Sequence, residues 1–250
     1  MDTDNRATRR MLVKLFRMVN VVTGLIYDVD PAMKRVRHLG DVLRAFCDTA
    51  SMLLGDYRLV MVTLTYDTLH EYAAGDIAAY MNKIRHYLGD NLVASCWVDE
   101  LQCKHRSGVP HYHAALLVKR GVDVPAPDSS GMWVKGSSNR ETKRSIYYMM
   151  EYCKKRDQKG LEGFKYPPGA RIFGASWAHL RLIALQQGEK VREYAVYVVR
   201  LTMLPRWVKD LCKSSVDLLS VRHLPHGGWV LGDHVYKSPW RLQGVVYGEG

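Results

Sequence analysis

The run Pro110-His111-Tyr112-His113-Ala114-Ala115-Leu116-Leu117-Val118 sets two imidazoles at i and i+2 in what otherwise reads as a buried β-strand. Strand side chains two apart share a face, with Cα atoms roughly 6.5–7 Å apart. His111 and His113 can therefore converge on one metal ion. Two core histidines hydrogen-bonded to neighbours would look the same, so the reading depends on a third ligand. The preceding strand-like run, Leu92 to Gln102, offers Glu100 and Gln102 on one face, while Asp99 points the other way. The polar turn at 103–109 brings that end of the run back beside the histidines. Glu100 is favoured because a carboxylate is the stronger ligand for a hard cation, and Gln102 is the alternative. Two histidines and a carboxylate with open positions suit a divalent cation acting as a Lewis acid. They equally suit the iron of a non-haem oxygenase, so the ligand set alone does not name the metal.

A second group of reactive side chains follows. The segment Glu141 to Lys159 reads as a helix stopped by Gly160, and it holds Tyr147, Tyr148 and Tyr152 ahead of Lys154, Lys155 and Arg156. On a helix Tyr148 and Tyr152 lie about 40° apart around the axis, and Lys155 within about 20° of Tyr148. From Arg140 to Lys159 there are seven Lys and Arg against three Asp and Glu. A phenol, with a reference pKa of about 10, is a poor nucleophile at neutral pH. A nearby cation favours the phenolate, and a polarised phosphoryl group lowers the demand on it. The competing reading is an aromatic stripe packed on a sheet, and for Tyr147 that reading is preferred. With a metal gripping a phosphate, the parts meet the needs of phosphoryl transfer to tyrosine. Two tyrosines permit two successive transfers.

These groups need a scaffold. Tyr57 to Tyr66 is β-branched and aromatic and reads as a strand. Asp76 can cap a helix with the apolar stripe Ile77, Tyr80, Met81, Ile84, Tyr87 and Leu88, ended by Gly89. The runs 92–102 and 111–118 read as antiparallel strands because their connection is short. Strand, helix, strand, strand, helix is the order of a split β-α-β unit: an α+β fold, an antiparallel sheet with helices on one face. Ahead of it, residues 1–31 read as a helix and then a short strand, and 31–54 as a helix. Val122 to Ser138 reads as a surface loop. Beyond about Trp177 a mixed helical region precedes a hairpin turning at Gly232-Asp233.

The charge balance, 36 Lys+Arg against 25 Asp+Glu for a net +11, favours a polyanionic partner, nucleic acid above all. Five dispersed cysteines with no CxxC suggest neither a zinc ribbon nor a disulfide framework, and fit a reducing compartment. The apolar stretch Met18 to Tyr27 is too short to span a bilayer and lacks a clear cleavage signature. The expectation is a cytoplasmic protein with no membrane partner.

The constellation resembles the HUH endonuclease superfamily, specifically the rolling-circle replication initiators of single-stranded-DNA phages and plasmids. Val62-Thr63-Leu64-Thr65-Tyr66 resembles that family's first motif. Glu100-Leu101-Gln102 ahead of Gly108-Val109-Pro110-His111-Tyr112-His113 resembles its second, and Tyr148-Met149-Met150-Glu151-Tyr152-Cys153-Lys154-Lys155 its third. Gly169 to Gly174 is similar to the filamentous-phage branch. Glu151 stands where a lysine is common, although Tyr152 to Lys155 alone satisfies the shorter YxxK form. The resemblance covers about residues 57–175. It implies a ferredoxin-like HUH nuclease core at 56–175, flanked by a helical N-terminal extension (1–55) and a mixed α/β C-terminal extension (176–250). It further implies metal ligation of Mg²⁺ or Mn²⁺ by His111, His113 and Glu100. Tyr148 and Tyr152 become nucleophile candidates assisted by Lys155, with Arg144, Lys154 and Arg156 on the DNA. The activity implied is nicking and rejoining of single-stranded origin DNA through a 5′-phosphotyrosine that frees a 3′-OH. The implied setting is a bacterial host cytoplasm, where a host helicase and polymerase are further candidate partners. Two other readings stand beside it: a non-catalytic module binding single-stranded nucleic acid, and a transposase or relaxase of the same superfamily.

Overall fold

A computed structural model of the 250-residue chain describes residues 12–102, 109–143, 145–151, 170–205, 208, 222–223, 228–231 and 234–249. Two compact units emerge, Met1–Arg37 with Pro205–Gly250, and His38–Leu204. The larger unit holds the candidate site.

In the smaller unit, β1 (Leu12–Asn20) lies between β2 (Ile26–Val29) and β11 (Trp240–Glu249), antiparallel to both. The helix expected at the start of the chain is therefore a strand from Leu12 on. Its ladder to β11, more than two hundred residues away in sequence, overrides local pattern. Asn20 shapes the β1–β2 turn, its side chain accepting from the N–H groups of Val22 and Thr23. A second small sheet holds β8 (Arg222–His223), β9 (Gly228–Leu231) and β10 (His234–Lys237), with β9 in the middle. Leu231 pairs with His234, as the expected two-residue turn at 232–233 requires, and the turn residues themselves lie outside the described set.

The larger unit is built on a five-stranded antiparallel sheet. Its strands are β3 (Tyr57–Thr65), β4 (Leu92–Gln102), β5 (Val109–Lys119), β6 (Ser138–Lys143) and β7 (Phe173–Ser176). Their order across the sheet is β6-β3-β5-β4-β7. β5 pairs with β3 on one side and β4 on the other, so β3 and β4 run parallel with β5 between them. Helix α2 (Asp76–Leu88) joins them, which completes the split β-α-β unit of the expected α+β fold.

Period-two alternation sorts the two faces of this sheet. Val60, Val62 and Leu64 of β3, Trp97 of β4 and Tyr112, Ala114, Leu116 and Val118 of β5 bury against Ile77, Tyr80, Met81, Ile84 and Leu88 of α2. Those helix positions recur at three- and four-residue steps, the stripe that one apolar helix face presents to a sheet. Gly89 ends the helix in a positive-φ conformation, its N–H donating to the Arg85 carbonyl. The cap differs from expectation. Gly75 is the N-cap, and the Asp76 carboxylate instead accepts from the Tyr66 hydroxyl at 2.9 Å.

The other face carries His111 and His113. Helix α1 (Pro31–Ala50) reaches this face, because His38 packs edge-on against Phe173, and Phe173 registers with Val98, two residues from Glu100. Leu39, Leu43, Phe46, Cys47 and Ala50 of α1 are fully buried. After β7 come α3 (Leu180–Gln187) and α4 (Glu189–Met203). His179, just ahead of α3, is buried and holds Thr49 of α1 at 2.8 Å. No helix among the described residues is long and apolar enough to cross a membrane.

The loop before β6 agrees with expectation, and the helix expected over 141–159 does not. Glu141 to Lys143 continue β6, paired with Met61 to Leu59 at the sheet edge. Ile146–Met150 then form a 3-10 helix that ends into Glu151. Strand pairing wins here over local helical pattern, and Ser145 starts the new turn by accepting from the Tyr147 N–H.

Candidate active site

β5 is the middle strand, and the eight residues His111–Val118 are all buried. Burial on both faces explains their near-continuous apolar run, and makes two buried imidazoles notable. His111 registers with Glu100 of β4 and Thr65 of β3, and His113 with Val98 and Thr63. Glu100, His111 and His113 therefore share one face. Their ligand atoms all lie within 4.8 Å of one another, and all three side chains are buried. Glu100 Oε2 lies 2.7 Å from His113 Nε2 and 3.4 Å from His111 Nε2. The two rings meet nearly perpendicular with centroids 4.7 Å apart. Two imidazole nitrogens and a carboxylate oxygen aimed at a common point form a donor set that fits a divalent cation. Gln102 ends β4, and its side chain lies outside the described set.

Thr63 completes the group in a way the sequence motif does not announce. Its Oγ1 lies 3.2 Å from His113 Nδ1, the ring nitrogen turned away from Glu100.

The tyrosines come to this side of the sheet through α1. Cys47 Sγ donates to the Ile146 carbonyl, and the Tyr147 hydroxyl donates to Asp48 at 2.8 Å, so the 3-10 helix is tied to α1. That helix also lies against β5. Tyr147 is thus a packing residue, as preferred from sequence, and Asp48 foremost raises its phenol above the ordinary tyrosine range. Tyr148 is partly exposed, with Lys143 Nζ 4.3 Å from its ring centroid. Lys143 lies on the histidine side of edge strand β6, since it registers with Leu59, which is in phase with Thr63. It also pairs with Glu141 at 2.7 Å, which holds its ammonium above the usual lysine range. In the sequence Lys143 is only one of many cations. Its contact with Tyr148 depends on the strand-to-helix corner, which helical spacing does not reveal. Tyr152, Lys154, Lys155, Arg156 and Arg144 lie outside the described residues.

The opposite face under the site is a buried aromatic layer. Tyr66, Tyr72, Tyr112, Trp97 and Trp133 meet with ring centroids between 5.1 and 6.3 Å apart. Asp99, fully buried on this face, faces away from the histidines as expected. Burial first, and the Asp99 charge among the further causes, push the Tyr72 phenol up to about 12. Tyr112 is pushed higher still by the same two causes. These phenols stay protonated at any working pH, so the layer is a neutral wall behind the ligand strand.

Residues 59–157 match the model of a family of replication-associated proteins, described by its ORF2 members. The matched stretch spans β3 through the 3-10 helix and contains Glu100, His111, His113 and Tyr148. It indicates a replication-associated role. No curated protein and no solved structure matches the chain significantly.

Proposed function

We propose that this chain is a metal-dependent, site-specific nickase and strand transferase of the HUH type. It would start rolling-circle replication on single-stranded origin DNA. The observation that carries this reading is the buried Glu100-His111-His113 cluster on the side of the sheet where the Tyr148 helix lies. The replication-associated family match supports the biological setting.

His111, His113 and Glu100 hold the cation, which is Mg²⁺ or Mn²⁺. When bound, it supplies Lewis-acid polarisation of the scissile phosphate. Tyr148 or Tyr152 supplies the nucleophile. Its phenolate oxygen attacks phosphorus, a tyrosyl O–P bond forms, and the bond to the 3′ oxygen breaks. That oxygen takes a proton and leaves as a 3′-OH, while the 5′-phosphate stays on the tyrosine. Because the phosphodiester is exchanged rather than hydrolysed, rejoining needs no nucleotide cofactor. Lys143 beside Tyr148, and Lys155 beyond Tyr152, offset the negative charge on phenolate and phosphate. Arg144, Lys154 and Arg156 contact the DNA backbone.

The test is incubation with labelled single-stranded origin DNA and Mn²⁺, followed by denaturing electrophoresis. A covalent protein–DNA adduct is expected, lost with EDTA and in the Tyr148→Phe/Tyr152→Phe variant. An adduct that persists in the double variant overturns the mechanism. Binding without any adduct returns the chain to the class of non-catalytic single-strand binders.

A further inference from the structure

We propose that Thr63 is a positioning residue for His113, its hydroxyl serving the ring in both the metal-free and the metal-bound state. The inference rests on the metal-site reading above.

The geometry is set by the backbone. Thr63 and His113 are register partners on adjacent strands, so their side chains leave the sheet side by side on one face. Val62 and Leu64, on either side of Thr63, are fully buried against the α2 layer. Their anchoring fixes the height of Thr63, and its branched Cβ restricts the hydroxyl to few rotamers. Oγ1 lies 3.2 Å from Nδ1, while Nε2 of the same ring is 2.7 Å from Glu100. His113 thus has a partner at each nitrogen. His111 differs: its buried Nδ1 has no hydrogen-bond partner among the described residues.

A neutral imidazole donates from one nitrogen and accepts at the other. With Nε2–H donating to Glu100, Nδ1 accepts from the Thr63 hydroxyl. A ring that ligates through Nε2 needs that lone pair free, so its proton sits on Nδ1 and donates to Thr63. A backbone carbonyl could serve only the second arrangement, and a backbone N–H only the first. A hydroxyl serves both by rotating its own hydrogen. His113 can therefore change tautomer on loading without turning its ring or leaving a buried nitrogen unpaired. Fixing a ligand histidine through its second nitrogen typically carries 10–100-fold in metal affinity.

The experiment measures Mn²⁺ binding to the full chain by loss of the free-ion EPR signal, for the wild type and for T63V, T63A, T63S and H113A. Thr63→Val removes the hydroxyl at nearly constant volume, and Thr63→Ala gives the same reading should the valine variant not fold. Both are expected to bind about 10–100-fold more weakly, with Thr63→Ser close to the wild type. Imidazole ¹⁵N spectra with Mg²⁺ should show the His113 proton moving from Nε2 to Nδ1 in the wild type. If T63V and T63A bind Mn²⁺ like the wild type while H113A does not, the proposal falls and the metal site stands. If H113A binds like the wild type, the metal-site reading falls and the proposal with it. A lowered melting temperature in T63V with unchanged Mn²⁺ affinity makes Thr63 merely structural, and also overturns the proposal.

Discussion

Glu100 stands directly across the β4–β5 ladder from His111, yet its carboxylate lies closer to His113, at 2.7 Å against 3.4 Å. It leans along the strand so that one oxygen serves both rings. Glu100→Gln keeps the shape and removes the charge. Mn²⁺ affinity should fall by more than about 100-fold, beyond the range for a partner that only orients a ligand. Metal at a hundred times its dissociation constant should stabilise the wild type by about 2.7 kcal/mol. Calorimetric titration and thermal melts with and without Mn²⁺ check both, and the metal-induced shift should vanish in a His111→Ala/His113→Ala variant.

Tyr147 and Tyr148 are neighbours with different expected fates. Tyr147→Phe deletes the hydrogen bond to Asp48 and should cost about 1 kcal/mol, leaving adduct formation intact. Tyr148→Phe should leave stability nearly unchanged and reduce the covalent adduct, with any remainder carried by Tyr152. Denaturant melts and gel quantification separate the two effects. Equal adduct loss in both variants would contradict the assignment.

His179 makes acid stability measurable. Burial holds its pKa at about 4, below the ordinary histidine value of 6.5. The folded state therefore resists a proton that the unfolded chain accepts. The stability is fully present above pH 6.5 and is lost as pH falls towards 4. The loss amounts to about 3 kcal/mol over that window. Urea midpoints between pH 7 and pH 4 should show this slope in the wild type, and a shallower one in His179→Phe. Thr49 tolerates that change because its hydroxyl already donates to the Ala45 carbonyl at 2.9 Å.

Gly136 packs against the end of β3 with φ 150°, and a Cβ there would overlap the Thr65 carbonyl oxygen. Gly136→Ala should destabilise by about 2 kcal/mol or more, from backbone strain and the clash together. Thr65 registers with His111. The same variant should therefore also weaken Mn²⁺ binding, a coupling that parallel melts and titrations can detect.

Much of the site is readable in the sequence because its parts are close together there. His111 and His113 are two apart on one strand, and Glu100 reaches them through a single short hairpin, so alternation alone predicts the shared face. The α2 stripe and its Gly89 stop are readable for the same local reason. What is not readable depends on distant partners. Glu141 to Lys143 look helical until β3 is found beside them, and β1 is a strand because β11 completes it. Thr63 lies fifty residues from His113, and only the β3–β5 register makes it a neighbour. The contact of Lys143 with Tyr148 arises from a strand-to-3-10 corner that no single period describes.

The position of the ligand strand has a kinetic corollary. β5 is hydrogen-bonded on both sides, so neither histidine can leave its place by fraying at an edge. Amide protons from His111 to Leu117 should exchange with solvent only when the whole larger unit unfolds. A cation held there would come and go by stepwise exchange of donor atoms in a standing frame, never by the frame opening. Its residence time would be governed by ligand chemistry and insulated from breathing elsewhere in the chain.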